Sequence, residues 1–289
     1  MLGYVFALIA ASLFAVRESL NKKLSQRTTA LFIIWGSTLL SLPIFIVSLI
    51  FSGAPQINKS FWLVLPLAAV LSLLSSFLLV RAVQISPLSK TLPLLSFTPV
   101  MLVFTSWLML HQMPSRWGLV GILLIVIGAY SLNAEKFRQG FKGPLRAIVE
   151  ERGSLYALAV AVIWSITSNL DKLGIQYSSI PFYLLTVNFT VIIMLTAILA
   201  YQRQPLFSGL KKHFRWLISI SVASSLISIF QLLAISRIIV PYVIAIKRGG
   251  GVLGGIILGK TIFKEGNFKI RLMAGLIMVA GIVIIMVVH

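Results

Sequence analysis

Cysteine is absent from this chain of 289 residues, which excludes a disulfide framework and a thiolate metal site. Acidic residues are nearly as scarce: six Asp and Glu stand against 25 Lys and Arg. None of the six pairs with another inside an apolar stretch, and no histidine–acid–nucleophile set occurs, so the chain is not expected to be an enzyme. The histidines, His111, His213 and His289, lie far apart and form no ligand pattern; neither a metal nor a cofactor is expected. Charge of either sign is thin as well. Only 11% of the residues are charged and 58% are hydrophobic, which excludes a water-soluble domain of this length and points to an all-α integral membrane protein.

The excess of cations gives a net charge of +19. In a soluble protein that balance would suggest nucleic acid. Here most of the cations fall in short loops between apolar stretches. Retention on the cytoplasmic side and contact with anionic lipid account for them, so no nucleic-acid partner is expected.

What the chain has in abundance is long apolar runs. Ten can be read: 2–21, 29–51, 62–82, 89–110, 117–133, 153–174, 181–201, 216–236, 241–258 and 267–288. Each is near the roughly 20 residues that cross a bilayer as a helix. No small-residue cleavage motif follows the first run, so it is expected to stay as a span. The longest polar segment, 133–152, leaves five runs on either side. The expected units are 1–133, a basic cytoplasmic linker 134–152, and 153–289.

The two units repeat. Setting Gly3 on Gly153 aligns GYVFALIAASLFAVRESLNK with GSLYALAVAVIWSITSNLDK, so that Phe14 meets Trp164, Asn21 meets Asp171 and Lys22 meets Lys172. Gly121 and Gly128 near the end of the first unit resemble Gly275 and Gly281 near the end of the second. Five is odd, so the second copy has to enter the membrane from the opposite side. The loop charges agree. With the N-terminus outside, the outer loops carry only Lys59, Arg116, Lys172 and Arg237, while inner loops carry runs such as Lys22, Lys23, Arg27 and Lys211, Lys212, Arg215. The expectation is ten transmembrane helices as two inverted five-helix repeats, both termini outside, in a cell inner membrane. Inverted repeats are a transporter architecture, with substrate bound near the midplane where the copies meet.

The ninth run, PYVIAIKRGGGVLGGIIL, carries Lys247 and Arg248 side by side. A cation at a helix centre costs about 2.5–3.5 kcal/mol on insertion scales, so the pair is expected to face a cavity or a counter-charge. Adjacent helical positions lie about 100° apart, and both can border one wide cavity. Two structural readings stay open: the side chains could snorkel to the nearer surface, or form a structural ion pair. Gly249, Gly250, Gly251, Gly254 and Gly255 allow close helix approach and remove bulk beside the cations. They are no phosphate loop, since no strand precedes them.

Asn169, Asn188 and Gln231 are amides in apolar runs and need partners, either on neighbouring helices or in a cavity. Phe14, Trp164 and Tyr242 are candidates for a pocket wall, with packing or interface anchoring as the alternative. Glu18 and Lys22 are four apart and are expected to pair on one helix face, and Asp171 with Lys172 is read as a structural pair likewise.

The aromatic of the first run in each copy (Phe14, Trp164), the LNK and LDK endings, Pro99 in SFTPVML and the FKEGNFKIRLMAGLIMVAGIVII ending are taken together. They make the chain resemble the EamA-type members of the drug/metabolite transporter superfamily. That resemblance implies ten spans and transport activity. His111 stands where the second copy has the loop acid Glu265. The Lys247–Arg248 pair is further similar to the Lys-Arg of the ninth span in triose-phosphate and other plastid sugar-phosphate translocators, where the pair binds phosphate. Those proteins add a fourth-span lysine where this chain has Leu95, with Lys90 five residues earlier. Small multidrug-resistance relatives carry a proton-binding glutamate at the place of Phe14 and Trp164, so no such glutamate is carried over.

The expected function is a secondary transporter, a monomer in the lipid bilayer, that moves a small polar metabolite bearing a carboxylate or phosphate by alternating access. The candidate substrate-binding residues are Lys247, Arg248, Trp164, Asn169, Gln231, Asn188, Phe14, Tyr242 and Lys90. Two further readings are a lipid-phosphate flippase or carrier accessory, and an amino-acid or drug exporter whose cations are structural.

Overall fold

A computed structural model describes residues 1–87, 91–131, 151–204, 206–263 and 268–287; at 93, 207, 255–263 and 268–272 it describes the backbone alone. Lys90, Glu265, His289 and the linker up to residue 150 lie outside the described residues.

Ten α-helices occur among the described residues, and no strand. They are α1 Leu2–Ser25, α2 Ala30–Ser52, α3 Phe61–Ile85, α4 Thr98–Leu110, α5 Arg116–Ser131, α6 Arg152–Gln176, α7 Ile180–Tyr201, α8 Leu206–Ile235, α9 Val240–Phe263 and α10 Phe268–Val287. A 3₁₀ turn, Leu92–Phe97, leads into α4. Among the described residues six helices are long and apolar enough to cross a membrane: α1, α2, α3, α6, α7 and α8 from Ser208. Leu94–Leu110, Arg116–Ser131 and Met273–Val287 are shorter apolar helical stretches. The fourth run is divided by its 3₁₀ turn, and α9 carries Lys247 and Arg248 in its first half, so neither reads as a plain apolar rod.

Local chemistry sets the helix ends in the same way in both copies. The register that puts Gly3 on Gly153 also puts Thr29 on Ser179. The Thr29 hydroxyl accepts the Phe32 N–H at 3.4 Å, and the Ser179 hydroxyl accepts the Phe182 N–H at 3.4 Å. Each is an N-cap for a donor the helix cannot satisfy itself. Lys22 donates to the carbonyls of Val83, at 3.1 Å, and Ser86, at 2.8 Å, where α3 ends. Lys172 donates to the Ile235 carbonyl, at 2.5 Å, where α8 ends. A cation there meets free carbonyls and the negative end of the helix dipole. This corrects the expected Glu18–Lys22 and Asp171–Lys172 pairs. Both lysines reach another helix of their own unit, and the acids find other partners.

The helix contacts are symmetric under exchange of the two copies. α1 packs on α8 and α9; α6 packs on α3 and α4. α2 packs on α7, and α5 on α10. This is the pattern an inverted repeat requires. At the α5–α10 contact the backbones nearly touch: a Cβ on Gly281 would sit 2.6 Å from the Gly121 carbonyl oxygen. α9 approaches α1 as closely. A Cβ on Gly250 would lie 2.7 Å from the Ala11 Cβ, and one on Gly251 2.9 Å from the Phe14 ring. Small residues permit this closeness between apolar helices. The α9 glycines thus press the cationic helix onto Phe14.

Candidate functional site

A cavity of about 240 Å³ lies between the two units. α1, α2 and α3 line it from the first unit, and α6, α7, α8 and α9 from the second. Equivalent positions face it from both copies: Asn21 and Asp171, Thr38 and Asn188, Ser75 and Ser225. Its wall is rich in hydroxyls. Ser37 donates to the Ile33 carbonyl and Ser168 to the Trp164 carbonyl, each at 2.7 Å, so each spends its proton on its own helix. Their oxygen lone pairs remain for a guest's O–H or N–H.

Lys247 and Arg248 both line the cavity and are buried, at 6% and 3% exposure. Neither reaches a surface by snorkelling. Lys247 donates from Nζ to Gln231 Oε1. Gln231 in turn donates from Nε2 to Asp171 Oδ2 at 3.3 Å, and the Tyr183 hydroxyl donates to Asp171 Oδ1 at 2.8 Å. A relay therefore runs from α9 through α8 to α6 and α7.

Arg248 is held differently. Its guanidinium lies 3.8 Å from the Trp164 ring centroid and 5.0 Å from that of Phe14. Its Nε and Nη1 are buried without a hydrogen-bond partner. The nearby acid Glu18 is already taken. Arg17 pairs with it at 2.5 Å, and Asn21 donates to it at 3.3 Å. Arg17–Glu18 is the one salt bridge among the described residues. With Arg17 on Glu18 and Lys247 tied through Gln231 to Asp171, Arg248 is left without a compensating acid among the described residues. A lone buried charge costs several kcal/mol unless a partner arrives.

The other expected residues fall into place as follows. Trp164, Gln231 and Asn188 line the cavity, although the Asn188 amide donates to its own helix at the Leu184 carbonyl, 2.6 Å away. Phe14 is the floor under the cations, with Lys247 5.6 Å, and Arg17 5.0 Å, from its centroid. Asn169 is fully buried away from the cavity. It accepts from Ser106 at 2.6 Å and donates to Thr105 and to the Ser165 carbonyl, each at 3.0 Å, joining α6 to α4. Tyr242 is also elsewhere: its hydroxyl accepts the Ser115 N–H at 2.9 Å where α5 begins. The residues that sequence reasoning passed over are Asp171, Tyr183 and Arg17. Asp171 carried a signal, since it is an acid facing Asn21 across the repeat. Tyr183 carried none.

Residues 1–134 match the model of the EamA-like transporter family. That stretch is similar to the EamA-like transporter family. No curated protein matches the chain. A solved structure described only as "Crystal structure of protein" superposes with a TM-score of 0.71 at 15% identity, covering 98% of this chain and 94% of its own. That likeness spans the whole chain, whereas the EamA match ends at residue 134. The long apolar helices make this a multi-pass helical membrane protein, and its first 134 residues resemble a transporter family rather than an enzyme family.

Proposed function

We propose that this protein is a ten-span secondary transporter for a small polar anion, carrying a carboxylate or phosphate, and that Lys247 and Arg248 hold that anionic group. The observation that carries the reading is Arg248, buried to 97% in a cavity between the two copies, with Nε and Nη1 unpartnered and no acid left among the described residues to neutralise it. Phe14 and Trp164 shelter the guanidinium but accept no hydrogen bond in its plane. An oxyanion supplies both the charge and the acceptors. The hydroxyl-rich wall takes the polar remainder of the substrate.

The units 1–133 and 153–289, inverted about the 134–152 linker with both termini outside, rock about this central site. A monomer suffices, since one chain supplies both copies. The test is uptake into proteoliposomes of a labelled panel of organic acids and phosphate esters. Lys247→Gln and Arg248→Gln should each lower anion uptake at least tenfold while the purified proteins keep the parental melting profile. Parental uptake by both variants would overturn the reading.

A further inference from the structure

Asp171 is the acid that the anion site leaves over. Its two oxygens are held by neutral donors, Tyr183 on one and Gln231 on the other, and no cation lies within ion-pair distance among the described residues. It faces the cavity, so a proton can reach it from water there. The charged and titratable groups around it are few. α7 offers Tyr183; α9 offers Lys247 and Arg248; α1 offers Arg17 and Glu18, already paired. On α6 itself Lys172 is turned away to the Ile235 carbonyl. α3 contributes hydroxyls to the cavity, and its Arg81 is exposed and bonded to Gln84. From α8 comes the neutral Gln231, and α4 lines no part of the cavity.

Resting on the anion reading above, we propose that Asp171 is a proton-binding site whose proton is carried together with the anion, the two being linked through Gln231. The chemistry is one O–H bond formed at the carboxylate from a proton in the cavity water and broken again on the opposite side. Nothing is oxidised or reduced.

The linkage follows from donor and acceptor counting. A carboxylate accepts at both oxygens; a carboxylic acid donates from one. If the proton enters at Oδ2, it meets the Gln231 Nε2–H donor to donor. Gln231 then has to turn, and its Oε1 leaves Lys247. The ammonium is freed for the substrate anion. The converse also holds. An anion that draws Lys247 away from Gln231 weakens the positive field that reaches Asp171 and favours its neutral form. Each ligand raises the affinity for the other by the same factor. The repeat isolates this to one copy. The equivalent residue is Asn21, an amide with its Oδ1 buried and unpartnered, which takes up no proton.

The experiment is calorimetric titration of the full-length protein with sulfate, inorganic phosphate and malate, in two buffers of different ionisation heat. Sulfate stays fully ionised near neutrality, so any proton counted with it is the protein's own. The expected result is a buffer-dependent heat in the parent, equal to a proton taken up per anion bound, and anion binding without that heat in Asp171→Asn. Tyr183→Phe removes one donor from the carboxylate, so its proton-uptake profile should move to higher pH with the anion site intact. Buffer-independent heat in the parent overturns the proposal, as does undiminished proton uptake in Asp171→Asn. If Asp171→Asn does not fold, an unmoved profile in Tyr183→Phe overturns it. If the parent binds none of the three anions, the reading of Lys247 and Arg248 falls first and this one falls with it.

Discussion

Phe14 and Trp164 stand edge to face with ring centroids 6.3 Å apart and planes at 72°, and the Arg248 guanidinium lies against both rings. They occupy the same place in the two copies, so the point where the repeats meet is also the point that grips the free cation. Cation–π contact is worth about 0.5–2 kcal/mol. The effective desolvation penalty of a buried charge is several kcal/mol. The clasp therefore positions Arg248 without neutralising it.

From that imbalance comes the first expectation. Arg248→Met removes an unpaired buried charge and keeps a similar length of apolar stem. The ligand-free protein should melt at the parental temperature or a few degrees higher, while anion binding is lost. Thermal melts with and without the anion panel check both halves. A melting temperature that falls by more than a few degrees would mean that Arg248 already has a partner in the empty protein.

Trp164→Leu keeps an apolar wall but removes the face 3.8 Å from Arg248. The guanidinium loses its fixed orientation, and anion affinity should drop several-fold. The expected loss is about 1 kcal/mol, within the range for a single cation–π contact. Titration of the parent and variant side by side measures it.

Tyr242→Phe separates the site from its surroundings. The lost hydroxyl accepts the Ser115 N–H, so the start of α5 loses a partner and stability should fall by about 1 kcal/mol. Anion binding should not change, because Tyr242 is not on the cavity wall. A Tyr242→Phe protein of parental stability with weakened anion binding would return Tyr242 to the binding site.

Gly281→Ala tests the seam between α5 and α10. The new Cβ meets the Gly121 carbonyl oxygen at 2.6 Å, and backbone cannot step aside cheaply. Overpacking of this kind costs about 1–3 kcal/mol. Gly275→Ala is the control: its Cβ meets only a Leu253 methyl at 3.0 Å, which can rotate away, so the variant should lose much less. Equal melting of the two would show that the seam is looser than drawn.

The sequence by itself determined a good deal. Apolar runs lie where helices are found, and among the described residues six of these helices are long and apolar enough to cross a membrane, since backbone groups in hydrocarbon have to be satisfied within the segment. The repeat was legible as well, in Phe14 over Trp164 and Lys22 over Lys172. So was the oddity of Lys247 and Arg248 among apolar neighbours, since their cost is intrinsic to the span that carries them.

Only the tertiary structure decided who pairs with whom. Glu18 and Lys22 satisfy the spacing rule for a pair, yet Lys22 caps α3 and Glu18 takes Arg17. Asp171 lies beside Lys172 but serves Gln231 and Tyr183, each on a different helix. Asn169 and Tyr242 were open to a place in the cavity or in helix packing, and both tie helices together. The physical reason is common to all of them. A polar group in a dry interior takes the best partner within reach, and reach is fixed by how the helices cross, which the spacing along one helix does not contain.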